Sequence, residues 1–363
     1  MTVPMRVVIA GGGTGGHLYP GIAVAQEFVR RDRSTTVTFA GTARGIESRL
    51  VPKAGFELDL LRSSGLKGKS LASRVRGIGI LPLSLLDAWR ILSRRRPDVV
   101  IGVGGYSSGP VVMAAALRGI ATMVLEQNAA PGLTNRTLAR VVRAAAVTYE
   151  ASLPFFRGRG FVTGNPVRAE FFESSEFAGR SSKSGRLLVL GGSQGAHAIN
   201  VAMVAAAAEL VRSQPQLEIV HQTGERDLAA VRDGYRSAGI EARAESFLDP
   251  VAREVKEADV IVCRAGATTL AELAAAGKPA VLIPFPFATD DHQRKNAEVL
   301  VTAGAAVMVE ERGLSGASLA AAVGALFGDA TRRAAMSAAA RTLARPDAAA
   351  RIVDRAGQLA RRA

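Results

Sequence analysis

Two stretches of this chain are repeated later in it, in the same order. VVIAGGGTGGH (Val7 to His17) is echoed by LLVLGGSQGAH (Leu187 to His197), and DVVIGVGGYSSG (Asp98 to Gly109) by DVIVCRAGATTL (Asp259 to Leu270). Each copy is a short apolar run that stops at small residues, the pattern of a buried strand handing over to a tight loop and then a helix. Strands and helices alternate throughout, which predicts parallel sheets with helices on both faces. The echo predicts two similar doubly wound α/β domains, residues 1–164 and 165 onward, hinged near Thr163 to Pro166. Ligands of such sheets bind beyond the carboxyl ends of the strands. Two such domains facing each other would direct all four loops into one cleft, an arrangement that suits the joining of two substrates.

In the first loop Gly11, Gly13 and Gly16 fit the GxGxxG spacing, which can bring backbone N–H groups and a helix N-terminus close to an anion. Packing alone can also require such glycines. A nicotinamide dinucleotide would need an acidic residue about 20 residues on, at the end of the next strand. That strand ends Ala40, Gly41, Thr42, so the dehydrogenase reading lacks its second anchor. His17 follows the glycines directly, where it reads either as an imidazole presented to substrate or as a cap of the loop.

Cys263 is the one cysteine among 363 residues, which excludes an internal disulfide and a cysteine-built metal cage. Glycines arrive by position 11, too early for a signal peptide, and no run reaches the ~18 apolar residues of a membrane span. The expectation is a cytosolic protein that does not span a membrane. Net charge is +14, and Lys and Arg outnumber Asp and Glu by 13 in residues 1–164 but by one in the rest. The excess concentrates between Arg62 and Arg96. There Arg62, Lys67, Lys69, Arg74, Arg76, Arg90, Arg94, Arg95 and Arg96 interleave with apolar residues including Ile78, Leu81 and Trp89, against the single acid Asp87. Basic and apolar residues mixed along a helix describe a segment lying on anionic lipid, or a core helix with a solvated back. Nucleic acid is disfavoured, because no aromatic stacking platform accompanies the charge.

Glu126, Gln127 and Asn128 end a strand and are expected at the cleft edge as ligand contacts, with helix capping the alternative for Asn128. Arg168, in GNPVR, could grip a diphosphate with two parallel bonds. GGSQG also fits the GxSxG elbow of serine hydrolases, with Ser193 as nucleophile and His221, or His292 beside Asp290 and Asp291, completing a triad. The same turn serves equally as a phosphate cradle, and the internal echo favours the cradle. Thr268 and Thr269 read as helix N-cap positions with Glu272 one turn in, placed to favour the helix dipole or to accept from a ribose. Adjacent aspartates opening a helix read as caps, so no metal is assigned.

In combination GGGTGGHLYPG, GGYSSGP, EQN with PGLTNR, GNPVR, GGSQGAHAIN, CRAGATTLAELAAAGKPA and DDHQRKNA resemble the MurG family of peptidoglycan glycosyltransferases over nearly the whole chain. One position departs, Ser107, where the family commonly carries a small apolar residue. The resemblance implies a GT-B fold of two Rossmann-like domains, 1–164 and 165–340, with a final helical segment 341–363 crossing back to the first. It implies inverting transfer of N-acetylglucosamine from UDP-N-acetylglucosamine to the 4-hydroxyl of polyprenyl-diphosphate-linked muramoyl pentapeptide, without cofactor or metal, at the cytoplasmic face of the cell membrane. By motif it implies His17 as base; Glu272 on the ribose; Ser193 and Arg168 on the phosphates; and Leu248 on the uracil through its backbone. Ala267, Thr268, Thr269, Leu270 and Ala271 would line the donor pocket, with Gln293 near the sugar. Thr14, Gly15, Gly16 and Asn128 would reach the donor from the first domain. Gly104, Gly105, Tyr106 and Asn128 would hold the acceptor. Lys67, Lys69, Arg74, Arg76, Ile78, Leu81 and Trp89 would face the membrane. A GT-B transferase with another lipid acceptor, and the hydrolase, are the alternatives.

Overall fold

The computed structural model describes residues 4–63, 71–173, 185–192 and 195–362, and of residues 71–80 only the backbone. Lys67, Lys69, Ser193 and the side chains of Arg74, Arg76 and Ile78 therefore lie outside the described residues. The chain forms two compact units, one made of Met1–Arg168 with Arg345–Ala363, the other of Ala169–Ala344.

The first unit runs β1 (Arg6–Gly11), α1 (Gly15–Arg31), β2 (Thr36–Gly41), α2 (Glu47–Lys53), β3 (Glu57–Leu60), α3 (Leu71–Arg95), β4 (Val99–Gly104), α4 (Ser108–Leu117), β5 (Ala121–Glu126), α5 (Leu133–Leu138), β6 (Ala144–Val147) and β7 (Gly160–Val162). The second runs β8 (Arg186–Leu190), α6 (His197–Ser213), β9 (Glu218–Gln222), α7 (Leu228–Ser237), β10 (Ala242–Glu245), α8 (Val251–Glu257), β11 (Val260–Cys263), α9 (Ala267–Ala276), β12 (Ala280–Leu282), α10 (His292–Thr302), β13 (Ala306–Met308), α11 (Gly316–Phe327) and α12 (Ala330–Leu343). Then α13 (Ala348–Ala360) rejoins the first unit, where Ile352, Val353, Ala356 and Leu359 enter the core with Ile9, Leu18, Phe28 and Met123.

Both sheets are parallel, ordered β3-β2-β1-β4-β5-β6-β7 and β10-β9-β8-β11-β12-β13. In each the strand order reverses between its two central strands, β1 and β4 in the first unit, β8 and β11 in the second. Those four strands are the four echoed stretches. The repeat therefore marks the switch points, where doubly wound sheets bind ligands. Central strands covered on both faces read as unbroken apolar runs, and β1, β4, β8 and β11 are buried along nearly their whole length.

The strand starts carry a matching device. Arg6 N–H donates to Asp98 Oδ2 and Arg186 N–H to Asp259 Oδ2, each at 2.8 Å, and each aspartate returns its own N–H to the arginine carbonyl. This reciprocal clasp sets the register of the two central strands in both units.

Candidate active site

In the first unit the loop between β1 and α1 is held from inside by a residue that the sequence did not single out. Glu47, 1% exposed, accepts from Gly13 N–H at 2.8 Å through Oε2, and from Thr42 N–H and Thr42 Oγ1 at 2.9 and 2.7 Å through Oε1. Burial pushes the Glu47 carboxyl upward, but the hydrogen bonds from Gly13 and Thr42 outweigh it and hold the group below the usual glutamate range. A carboxylate does stand near the end of β2, as a dinucleotide fold requires, yet both of its oxygens are spent on the protein's own backbone and Thr42.

Thr14 is the N-cap of α1, and its Oγ1 lies 3.1 Å from His17 Nδ1 instead of capping the helix. The His17 ring lies against Gly104: a Cβ there would stand 2.6 Å from His17 Cδ2. A Cβ on Gly105 would overlap the Gly12 carbonyl oxygen. The loops after β1 and β4 are thus interlocked, and Thr14, His17, Gly104 and Gly105 form one cluster at the switch point. Gly15 opens α1 beside Tyr19, and Gly16 follows it in the first turn. The Arg168 guanidinium stacks over the Tyr19 ring at 4.4 Å, so this turn residue belongs with the first unit's helix. Tyr106 is half exposed, and Ser63 Oγ donates to its carbonyl at 3.1 Å.

Of the strand end Glu126–Gln127–Asn128, expected at the cleft edge as ligand contacts, two members are turned inward to structural partners. Glu126 and Gln127 are buried. Glu126 accepts from the N–H and Nδ2 of Asn128, from Gly132 N–H and from Asn135 Nδ2 at 2.9–3.2 Å, organising the following loop. Burial raises its pKa despite these donors. Gln127 Nε2 donates to Val103 O at 3.1 Å and steadies the end of β4. Asn128, half-buried, is the member of the three nearer the surface.

In the second unit α9 starts at Gly266, which is the N-cap, so Thr268 and Thr269 lie inside the first turn and do not cap it. Glycine has no side chain with which to cap the helix's first N–H groups. Ala267, Thr268 and Leu270 are buried; Thr269, Ala271 and Glu272 are half-buried. Leu248 is buried and its N–H donates to Gln222 Oε1 at 3.1 Å. Gln293 Oε1 accepts from Phe285 N–H at 3.0 Å, which turns its Nε2 outward from that bond. Asp290 and Asp291 both have φ of 54°; Asp291 holds the N-cap position of α10, as the sequence suggests, but makes no side-chain cap hydrogen bond.

His221 does not fit a triad. It is fully buried, with Nδ1 2.8 Å from Tyr235 Oη and Nε2 3.0 Å from Asn200 Oδ1. Asn200 Nδ2 already donates to Thr223 O and Asp227 Oδ2, so its Oδ1 accepts and His221 Nε2 carries the proton. Burial lowers the His221 pKa to about 3, and both ring nitrogens are occupied by structural partners. His292 Nδ1 is bonded to Thr289 O at 2.7 Å.

The basic segment is also less free than its composition suggests. Arg95 pairs with Asp59 and Glu57, Arg94 with Asp59, and Arg62 with Asp87, all within 2.7 Å. Two of those acids precede the segment in sequence. Among the described side chains of α3 an apolar row also faces outward, beside the exposed Arg90 and Arg94: Leu81, Leu83, Leu86 and Trp89 are 39–53% exposed, with the Arg118 guanidinium 4.9 Å over the indole. Among the described residues no helix is long and apolar enough to cross a membrane.

Residues 7–147 match the glycosyltransferase family 28 N-terminal domain and residues 186–352 its C-terminal domain. A UDP-N-acetylglucosamine–N-acetylmuramyl-(pentapeptide) pyrophosphoryl-undecaprenol N-acetylglucosamine transferase of Anaeromyxobacter sp. (strain K) is 48% identical over 359 residues, 99% of this chain and 94% of that protein. The enzyme of the same description from Myxococcus xanthus (strain DK1622) is 48% identical over 351 residues, 96% of this chain and 92% of its own. Among solved structures, MurG of Acinetobacter baumannii superposes with a TM-score of 0.75 at 29% identity, covering 98% of this chain and all of the other.

Proposed function

The chain belongs to glycosyltransferase family 28, among the UDP-N-acetylglucosamine-dependent transferases of peptidoglycan synthesis, and from that premise we propose how its residues divide the work. It is an enzyme that moves N-acetylglucosamine from UDP-N-acetylglucosamine to the lipid-linked muramoyl pentapeptide, turning lipid I into lipid II, on a GT-B fold. The near full-length identity to transferases of one description carries this reading.

The second unit takes the donor. Glu272 accepts from the ribose hydroxyls, the first turn of α9 (Ala267, Thr268, Thr269) takes the diphosphate, and Leu248 meets the uracil through its backbone. With Leu248 N–H engaged by Gln222, the carbonyl is the group left for that contact. Gln293 Nε2 addresses the sugar. As UDP departs, negative charge builds on the diphosphate, and the N-terminus of α9 stabilises it.

The first unit serves the acceptor. With Thr14 Oγ1 accepting from His17 Nδ1–H, Nε2 carries the lone pair that takes the proton of the attacking 4-hydroxyl. The new bond forms between that oxygen and the anomeric carbon as the bond to UDP breaks, inverting the centre to give a β-1,4 linkage. Gly104, Gly105, Tyr106 and Asn128 line the acceptor's diphosphate and sugar. The outward apolar row on α3 rests on an anionic cytoplasmic leaflet, which keeps the enzyme beside a substrate whose tail stays in lipid.

Incubation with UDP-N-acetylglucosamine and a short-chain lipid-linked muramoyl-pentapeptide tests the reading. Disaccharide product supports it. UDP release with diacylglycerol instead, and none with the muramoyl lipid, would replace it by a transferase with another acceptor.

A further inference from the structure

The glycine loop of the first unit reads in the sequence either as an anion cradle or as a packing device, and the carboxylate of Glu47 occupies Gly13 N–H. An anion placed there would meet a negative charge instead of an open donor. Three glycines make room for that one group: a Cβ on Gly12, Gly41 or Gly45 would overlap the Glu47 side chain. Gly12 and Gly45 flank the carboxylate itself, and Gly41 ends the strand beside it. The loop around Glu47 therefore has little space for anything but this side chain, held by three donors.

The consequence reaches the reacting end of the loop. Drawing Gly13 N–H inward fixes the turn Gly12–Gly13–Thr14, and Thr14 is the residue whose hydroxyl meets His17 Nδ1. Gly12 O in turn abuts Gly105, next to the Gly104 against which the imidazole lies. We propose that Glu47 is a positioning residue for glycosyl transfer, setting the backbone from which His17 is aimed at the acceptor hydroxyl. The inference rests on the reading of His17 as base given above.

Glu47→Gln turns one oxygen into an amide that must present hydrogens either to Gly13 N–H or to the Thr42 N–H. Glu47→Asp keeps the charge but withdraws the carboxylate by one methylene. For both variants kcat with saturating donor and acceptor falls on the order of ten- to a hundred-fold, the cost of a small misplacement of a reacting group. The KM for UDP-N-acetylglucosamine stays near that of the parent. In a His17→Ala background Glu47→Gln adds little further loss, because the residue acts through the one already removed. A lower melting temperature with kcat unchanged in both variants, or full additivity with His17→Ala, would reduce Glu47 to a structural role and overturn the inference. If His17→Ala itself keeps full kcat, the base assignment fails and this inference with it. If only the Glu47 variants keep it, the inference alone fails.

Discussion

Gly104 and His17 share one volume: a Cβ on the glycine would stand 2.6 Å from the ring's Cδ2 and 3.0 Å from Nε2, and the glycine's φ is +97°. The glycine after β4 thus fixes where the imidazole after β1 can lie. Gly104→Ala meets both the ring and an unfavourable backbone, costing about 1–3 kcal/mol of stability. It should also lower kcat roughly tenfold or more by displacing the ring. Melting curves beside kinetics of the still-folded variant check this; unchanged kcat would detach the imidazole's position from the chemistry.

Burial leaves His221 neutral, with a pKa of about 3 against 6.5 when free. The unfolded chain takes up a proton there as pH falls below 6.5 while the folded chain does not. The group's contribution to stability is therefore complete above pH 6.5 and is lost as pH falls toward 3. Between pH 6.5 and 5 that loss is about 2 kcal/mol. Urea denaturation at pH 7 and pH 5 should show a drop smaller by this amount in His221→Gln, even though the variant is weaker at pH 7.

The two strand-start clasps look alike but differ in burial. Arg186 is buried and its guanidinium also meets Glu254 at 2.7 Å and Glu257, whereas the Arg6–Asp98 pair is solvent-exposed. Arg186→Met removes the buried cation between Glu254 and Glu257, leaving them only the more exposed Arg243 and Arg253, and should cost about 3 kcal/mol. Arg6→Met keeps its backbone bond to Asp98 and should leave the denaturation midpoint nearly unchanged.

Leu86 and Trp89 stand 53% and 48% exposed on α3. Replacing both by Ser should weaken cosedimentation with anionic phospholipid vesicles by at least about tenfold, given ~25 cal/mol per Å² of apolar surface withdrawn from water. UDP affinity should stay as it was. Undiminished vesicle binding would move the lipid contact elsewhere.

The architecture was legible because its signals are local. Apolar runs broken by glycines marked β1, β4, β8 and β11, and their order exposed the duplication. The pinning of the first loop was not legible, because nothing near Glu47 indicates that its carboxylate folds back 34 positions to Gly13. The inward turn of Glu126 and Gln127 was not legible for a related reason: a polar strand end can face inward when a loop needs acceptors and donors, and Asn128, Gly132, Asn135 and Val103 supply the partners. The pairing within the basic segment was not legible because Glu57 and Asp59, which meet Arg94 and Arg95, lie on β3, ahead of Arg62 in the chain. Thr268 and Thr269 missed the N-cap by two and three residues, since Gly266 ends the extended backbone there.

The division of labour between the units is tested most directly by a crystal structure with UDP-N-acetylglucosamine bound. The ribose hydroxyls should lie within hydrogen-bond distance of the Glu272 carboxylate, with the diphosphate at the first turn of α9. A nucleotide seated instead on Gly11 to Gly16, against the loop whose Gly13 N–H is held by Glu47, would contradict the account.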